Sequence, residues 1–334
     1  MQAEYQRHNL IFKRPGGTSR GVLTEKETYF LHISDGEKKG TGECGVFRGL
    51  SYDDVPDYEE KLQWLCNNIN SEPSFLQKQL LHYPSIWFGY EQAMLNLKHG
   101  DHIYFPGEFT ERKKSITING LIWMGNVDFM KEQIALKLQE KFHCIKLKIG
   151  VNWDEEKKVL EELRKTFPKN QLELRVDANG AFSTEKARIV LEELAALDIH
   201  SIEQPIKAGN PQEMALLCAN TPTPIALDEE LIGFTELEKK QKLLETIKPQ
   251  YIILKPSLVG GISGSDEWIA LAEQQNIDWW ITSALESNIG LNAIAQYTYT
   301  KKNPMPQGLG TGALFTNNTP SSLKLEGDQL WFAD

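Results

Sequence analysis

The 334-residue chain carries 46 acidic against 36 basic side chains, a formal net charge of −10, and 40% of its residues are hydrophobic. That balance excludes a disordered chain, argues against nucleic acid or an anionic membrane as the main partner, and at roughly 150 residues per domain predicts two domains. Cys44, Cys66, Cys144 and Cys218 form no CxxC or Cys/His pair, so neither a disulfide framework nor a zinc knuckle is expected.

The opening stretch MQAEYQRHNLIFKRPGG has no apolar core of a signal peptide, and no uninterrupted apolar run reaches the roughly 18 residues a membrane span needs. A cytoplasmic protein is expected. Residues 22–45 alternate and turn at Asp35-Gly36, which predicts a hairpin. Helices are predicted over 58–70 and from Ser85, read as an N-cap, to Gly100 as the stop. This α+β unit ends near Lys113.

Beyond it, eight apolar runs alternate with amphipathic segments. The runs are SITINGLIW from Ser115, CIKLKIG from Cys144, LELRVDANG from Leu172, HSIEQPI from His200, PIALDEEL from Pro224, YIILKPSLVGG from Tyr251, DWWITSALES from Asp278 and the weaker PQGLGTG from Pro306. Segments between them, such as STEKARIVLEELAAL with Ser183 as its cap, have helical period. The fold class is therefore α/β, a (β/α)8 barrel of the TIM type over 114–314, with residues 315–334 returning to the N-terminal unit of 1–113. A doubly wound open sheet is the alternative, but its glycine-rich phosphate loop is missing after the first strand, where the chain reads NGLIWMGN.

Charged residues end five consecutive strands: Lys148, Asp177, Glu203, Asp228 and Lys255, at spacings of 29, 26, 25 and 27. Each has an ordinary reading alone. Lys146 and Lys148 suit a solvated edge strand, Asp177 a turn, Glu203 a surface loop, Asp228 a helix start and Lys255 a loop. At one constant period, however, all five reach the carboxyl-end mouth of the barrel, where barrel enzymes keep their active sites.

Three acids meeting there need a cation, and an oxygen-only ligand set suits Mg2+, with Mn2+ as a variant. The histidines are scattered, and His99 and His102 flank a loop. A metal beside lysines points to removal of a proton next to a carboxylate on a small-molecule substrate, with Lys148 as base. For that role its pKa must fall from ~10.4 toward ~7 to 8 under the influence of Lys146, the metal and the low-dielectric mouth.

The set Lys146-x-Lys148, Asp177-x-Asn179, Glu203-x-Pro205, Asp228-Glu229 and Lys255-Pro256 resembles the muconate-lactonizing-enzyme subgroup of the enolase superfamily. Gly42-Glu43 and the helix around Tyr90 to Leu97 are similar to that superfamily's capping domain. The resemblance implies that Asp177, Glu203 and Asp228 bind Mg2+, that Lys148 and Lys255 stand on opposite faces of the substrate, and that Lys146 tunes Lys148. It makes Asn179 and Glu229 outer ligands and the segment Gly16 to Gly21 a lid, with Arg20 contacting substrate; a plain surface loop is the other reading of that segment.

Thr282 to Gln296 and Gly308 to Phe315 further resemble o-succinylbenzoate synthases of the menaquinone pathway. Such enzymes dehydrate 2-succinyl-6-hydroxy-2,4-cyclohexadiene-1-carboxylate. By this resemblance Lys148 removes the α proton and returns it to the departing hydroxyl, Lys255 steadies the enolate, and Ser283 and Gly310 leave room for the succinyl arm. N-succinylamino acid racemase is the sister alternative. Dipeptide epimerases carry an Asp-x-Asp on the eighth strand, where this chain has Gly308-Leu309-Gly310-Thr311-Gly312. A Schiff-base aldolase acting through Lys255 and a barrel used only for binding are the more distant readings.

Overall fold

The computed structural model describes residues 1–18 and 21–333. The chain opens with an antiparallel sheet of β1 (Gln2–Thr18), β2 (Gly21–Ser34) and β3 (Lys39–Cys44), in the order β1-β2-β3. The predicted hairpin is β2–β3, and its turn is made by Asp35, whose Oδ1 accepts from the backbone N–H groups of Glu37 and Lys38 at 2.9 and 2.8 Å. β1, which the sequence pattern did not mark, pairs along β2 from Gln2 opposite Ser34, with a register shift between Ile11 and Gly16.

Three helices follow, α1 (Tyr58–Asn67), α2 (Pro73–Gln79) and α3 (Pro84–His99). α3 lies directly on β3 because glycines let the two backbones touch. A β-carbon on Gly42 would stand 2.0 Å from the Gly89 carbonyl oxygen, and one on Gly40 would stand 2.1 Å from that of Ala93. Ser85 is not the N-cap: Pro84 takes the first helical position, and Ser85 donates its N–H and hydroxyl to the Asp53 carboxylate at 2.9 and 2.7 Å. Gly100 does end the helix, at φ +78, donating its N–H to the Asn96 carbonyl.

After β4 (Ile116–Thr117) come seven parallel barrel strands, β5 (Gly120–Ile122), β6 (Cys144–Lys148), β7 (Glu173–Asp177), β8 (Ser201–Glu203), β9 (Ile225–Leu227), β10 (Tyr251–Leu254) and β11 (Asp278–Ile281), adjacent in sequence order. They alternate with α4 (Val127–Gln139), α5 (Trp153–Thr166), α6 (Thr184–Ala195), α7 (Pro211–Ala219), α8 (Leu237–Ile247), the short α9 (Pro256–Val259), α10 (Gly261–Gln274) and α11 (Asn288–Thr300). Ser183 caps α6 as expected, its hydroxyl accepting from the Lys186 N–H. Side chains pointing outward from the strands, such as Ile145, Leu147, Leu174, Val176 and Ile202, fill one core beneath the helices.

The weak eighth run closes the ring with two residues rather than a full strand. Gln307 exchanges backbone hydrogen bonds with Thr117 and Asn119, both 2.9 Å, and Gly308 does so with Ile281 and Ser283 at 2.8 and 3.1 Å. The run from Ser115 is divided. Residues 120–122 join the barrel, whereas Ile116 and Thr117 pair with a C-terminal hairpin of β12 (Leu323–Glu326) and β13 (Gln329–Phe332). On the way to that hairpin the chain passes β1, where Phe315 bridges Phe12 and the Thr316 N–H donates to the Ile11 carbonyl at 2.8 Å. Among the described residues no helix is long and apolar enough to cross a membrane.

Candidate active site

Parallel register fixes which charges become neighbours. Lys148 lies beside Asp177, and Asp177 beside Glu203, so the ends of β6, β7 and β8 present amine, carboxylate and carboxylate in a row. Alternation sends Lys146 and Lys148 to the same, inner face. Asp228 and Lys255 sit just beyond the ends of β9 and β10.

The five expected residues and Lys146 meet as ion pairs. Lys148 Nζ donates to Asp177 Oδ2 at 2.8 Å and to Asn179 Oδ1 at 2.7 Å. Lys146 Nζ donates to Glu203 Oε2 at 2.6 Å and lies 3.6 Å from Asp177 Oδ2. Lys255 Nζ is paired with Asp228 Oδ2 and stands 4.0 Å from Glu203 Oε1. Asn179, at φ +45, also donates its side-chain amide to Glu229 Oε1 at 3.0 Å, which links the loops after β7 and β9. Here the ammonium groups supply the positive charge that three buried carboxylates require. Among the described residues no three carboxylate, thiol or imidazole groups stand ready as a metal cage.

Electrostatics follow from this pairing. Burial works to raise the Asp177 pKa, but the ammoniums of Lys148, Lys146 and Lys255 outweigh it and hold the carboxyl well below the usual range. For Glu203, burial and the adjacent Asp177 charge prevail and push its carboxyl upward. Burial works against charge on Lys146 and Lys255 as well. Glu203 and Asp177 nevertheless keep Lys146 above the ordinary lysine value, and Asp228 and Glu203 keep Lys255 far above it.

Of these groups Lys146, Lys148, Asp177, Asn179 and Lys255 line one cavity, whereas Glu203, Asp228 and Glu229 are not part of its lining. Ser283 and Gly310 line the same cavity, and the Ser283 hydroxyl pairs with that of Thr311 at 2.6 Å. Arg20 lies outside the described residues. The sequence reading missed Phe47 and Leu50, which reach the cavity from the loop after β3, and Trp123, beyond β5. Only Trp123, in the run SITINGLIW, carried a local signal. Phe47 and Leu50 arrive solely because the N-terminal sheet sits over the mouth.

Residues 130–320 match the family described as "Enolase C-terminal domain-like". The o-succinylbenzoate synthase of Desulfotalea psychrophila is 45% identical over 99% of this chain and 98% of its own length. The crystal structure of MenC from the same organism superposes with a TM-score of 0.88 at 42% identity, covering 99% of each chain. The N-succinylamino acid racemase of Thermus thermophilus is 37% identical over 46% of this chain and 39% of that protein. A family match across more than half of the residues, joined to a relative that aligns from end to end, makes this chain a member of the o-succinylbenzoate synthase family within the enolase superfamily.

Proposed function

We propose that the protein is a cytoplasmic hydro-lyase that converts 2-succinyl-6-hydroxy-2,4-cyclohexadiene-1-carboxylate to o-succinylbenzoate for menaquinone synthesis, using Mg2+ or Mn2+. The observation that carries this reading is the placement of Lys148 and Lys255 on one cavity, on the second and sixth strands of an eight-membered ring. Strands four places apart in such a ring face each other across its mouth.

The acids fit a hard divalent ion in their chemistry. Asp177, Glu203 and Asp228 supply only oxygen donors from three adjacent strands, and Glu203 Oε1 is buried without a hydrogen-bond partner. A divalent ion held by these acids would supply positive charge at the substrate carboxylate. Asn179 and Glu229, joined to each other, are suited to orienting the cluster from outside.

Lys148, paired with Asp177 as an ammonium in this structure, must first give up a proton to act as base. It takes the α proton, the ring gains a double bond, the C–O bond breaks, and the proton goes to the departing hydroxyl on the same face, so that water leaves. Lys255 stays a cation, as Asp228 and Glu203 favour, and steadies the negative charge of the enolate. Ser283 and Gly310 give room to the succinyl arm, and Arg20, outside the described residues, is the further substrate contact that the family resemblance implies. Residues 1–113 serve as the capping domain over a barrel of 114–314, a division supported by Phe47 and Leu50 at the mouth; of the tail expected to return to that unit, Phe315 and Thr316 meet β1, whereas the hairpin of β12 and β13 pairs with β4 instead.

The same opposed lysines suit proton exchange at a single carbon, so N-succinylamino acid racemisation is the second reading, favoured by the Thermus relative. The ion pairing of Lys255 disfavours a Schiff base, which needs a neutral amine. The test is turnover of the cyclohexadiene carboxylate with Mg2+ and after EDTA. Lys148→Ala and Lys255→Ala are each expected to lower kcat by at least ~10²-fold. Near-normal kcat in both variants overturns the assignment. Borohydride trapping on Lys255, with activity surviving EDTA, would instead support the aldolase.

A further inference from the structure

Gln204, between Glu203 and Pro205, is fully buried and sits at φ +40, a left-handed conformation that a non-glycine residue keeps only where its surroundings hold it. Its bonds reach three strand ends. The backbone N–H donates to the Ala226 carbonyl at 2.9 Å, and the backbone carbonyl accepts from the N–H of Gly180, three residues past Asp177, at 2.7 Å. The side-chain Oε1 accepts from the N–H groups of Asp228 and Glu230 at 3.1 and 3.2 Å. Its Nε2 donates to the Ile206 carbonyl at 3.0 Å and to Glu230 Oε2 at 3.1 Å. Because backbone N–H groups only donate, the oxygen must face Asp228 and Glu230, which fixes the orientation of the amide.

One residue thus ties together the three strand ends at which Asp177, Glu203 and Asp228 stand. An aliphatic side chain of equal size would fill the space but leave the Asp228 and Glu230 N–H groups buried without acceptors. Glu230, itself buried, accepts from the Gly209 N–H through its other oxygen, so it is held from both sides.

We infer that Gln204 is a positioning residue that sets the relative placement of Asp177, Glu203 and Asp228 and, through it, the affinity of the cluster for a divalent cation. This rests on the cation reading proposed above.

The experiment is a calorimetric titration of the intact 334-residue chain with Mg2+ alone, in the absence of substrate. Gln204→Glu keeps the acceptor for the two N–H groups but removes both donated bonds and sets a carboxylate against Glu230. Added negative charge alone would tighten Mg2+ binding, whereas lost positioning weakens it, so the direction separates the two. The expected result is a Kd raised by ~10 to 100-fold. The double variant Gln204→Glu with Glu230→Gln exchanges donor and acceptor at that contact and keeps the total charge. It is expected to return Kd to within about three-fold of wild type, and it decides the matter if the single variant does not fold. Unchanged or tighter binding in Gln204→Glu overturns the inference, as does a double variant that binds as weakly as the single one. Failure of the wild-type protein to bind Mg2+ saturably overturns the cation reading itself, and this inference with it.

Discussion

At Gly308 the barrel closes with no room for a β-carbon: one placed there would stand 1.4 Å from Thr282 Oγ1 and 2.7 Å from its Cβ. Gly310, two residues on and lining the cavity, has its nearest neighbours at 3.6 Å from the same hypothetical atom, an ordinary contact. The two glycines therefore have different reasons to be glycine. Gly308→Ala must push β11 away from the closing segment, and a loss of about 1 to 3 kcal/mol in chemical denaturation is expected. Gly310→Ala is expected to melt like wild type while raising KM, because the added methyl group narrows the space proposed for the succinyl arm. If Gly308→Ala is as stable as Gly310→Ala, the tight closure described here is wrong.

The helices α10 and α11 follow the strand that leads to Lys255 and the strand that leads to Ser283, and each has its N-terminus held by an acid from the N-terminal region. Glu91 of α3 accepts from the N–H groups of Ile262 and Ser263 at 2.6 and 3.0 Å. Glu43 of β3 accepts from those of Ser287 and Gly290, both at 2.9 Å. Helix N-termini favour carboxylates, and these carboxylates come so close that a β-carbon at Gly261 would stand 2.1 Å from Glu91 Oε2. Burial, helped by Asp266 and opposed by its hydrogen bonds, pushes the Glu91 carboxyl from 4.5 up to about 7. The sign follows from proton counts: between these values the folded chain keeps a proton that the unfolded chain has released, so stability falls as pH rises. The contribution should be absent below pH 4.5 and amount to about 3 kcal/mol of lost stability above pH 7. Glu91→Gln cannot ionise, and its melting temperature between pH 4.5 and 8 is expected to lack that part of the decline. Parallel profiles for the two proteins would show that Glu91 does not lose its water on folding.

Across the molecule, legibility tracks distance along the chain. The barrel showed itself because one unit repeats, and Lys148, Asp177, Glu203, Asp228 and Lys255 share its period. What stayed hidden depends on partners far away: β1 has no simple alternation to mark it, Phe315 meets Phe12, and Gln307 closes on Thr117. Nor did the pattern indicate that the lysines would pair with the acids rather than stand apart from them. The C-terminal hairpin belongs to the hidden class. Leu330 and Phe332 are buried, Phe332 meets Phe109 edge-on with centroids 6.1 Å apart, and Phe109 stacks on Tyr299 at 5.5 Å. Its strand partner, Ile116, precedes β5, and its Asp328 pairs with His143, the residue before β6, at 2.8 Å. Both contacts lie at the amino ends of parallel strands, which is the end of the barrel opposite the mouth. Phe332→Ala is therefore expected to cost about 3 kcal/mol in denaturant titrations, the usual scale for emptying a buried aromatic site, while kcat per folded molecule stays at the wild-type value. A fall in kcat with stability intact would mean that this end of the barrel is coupled to the chemistry at the other.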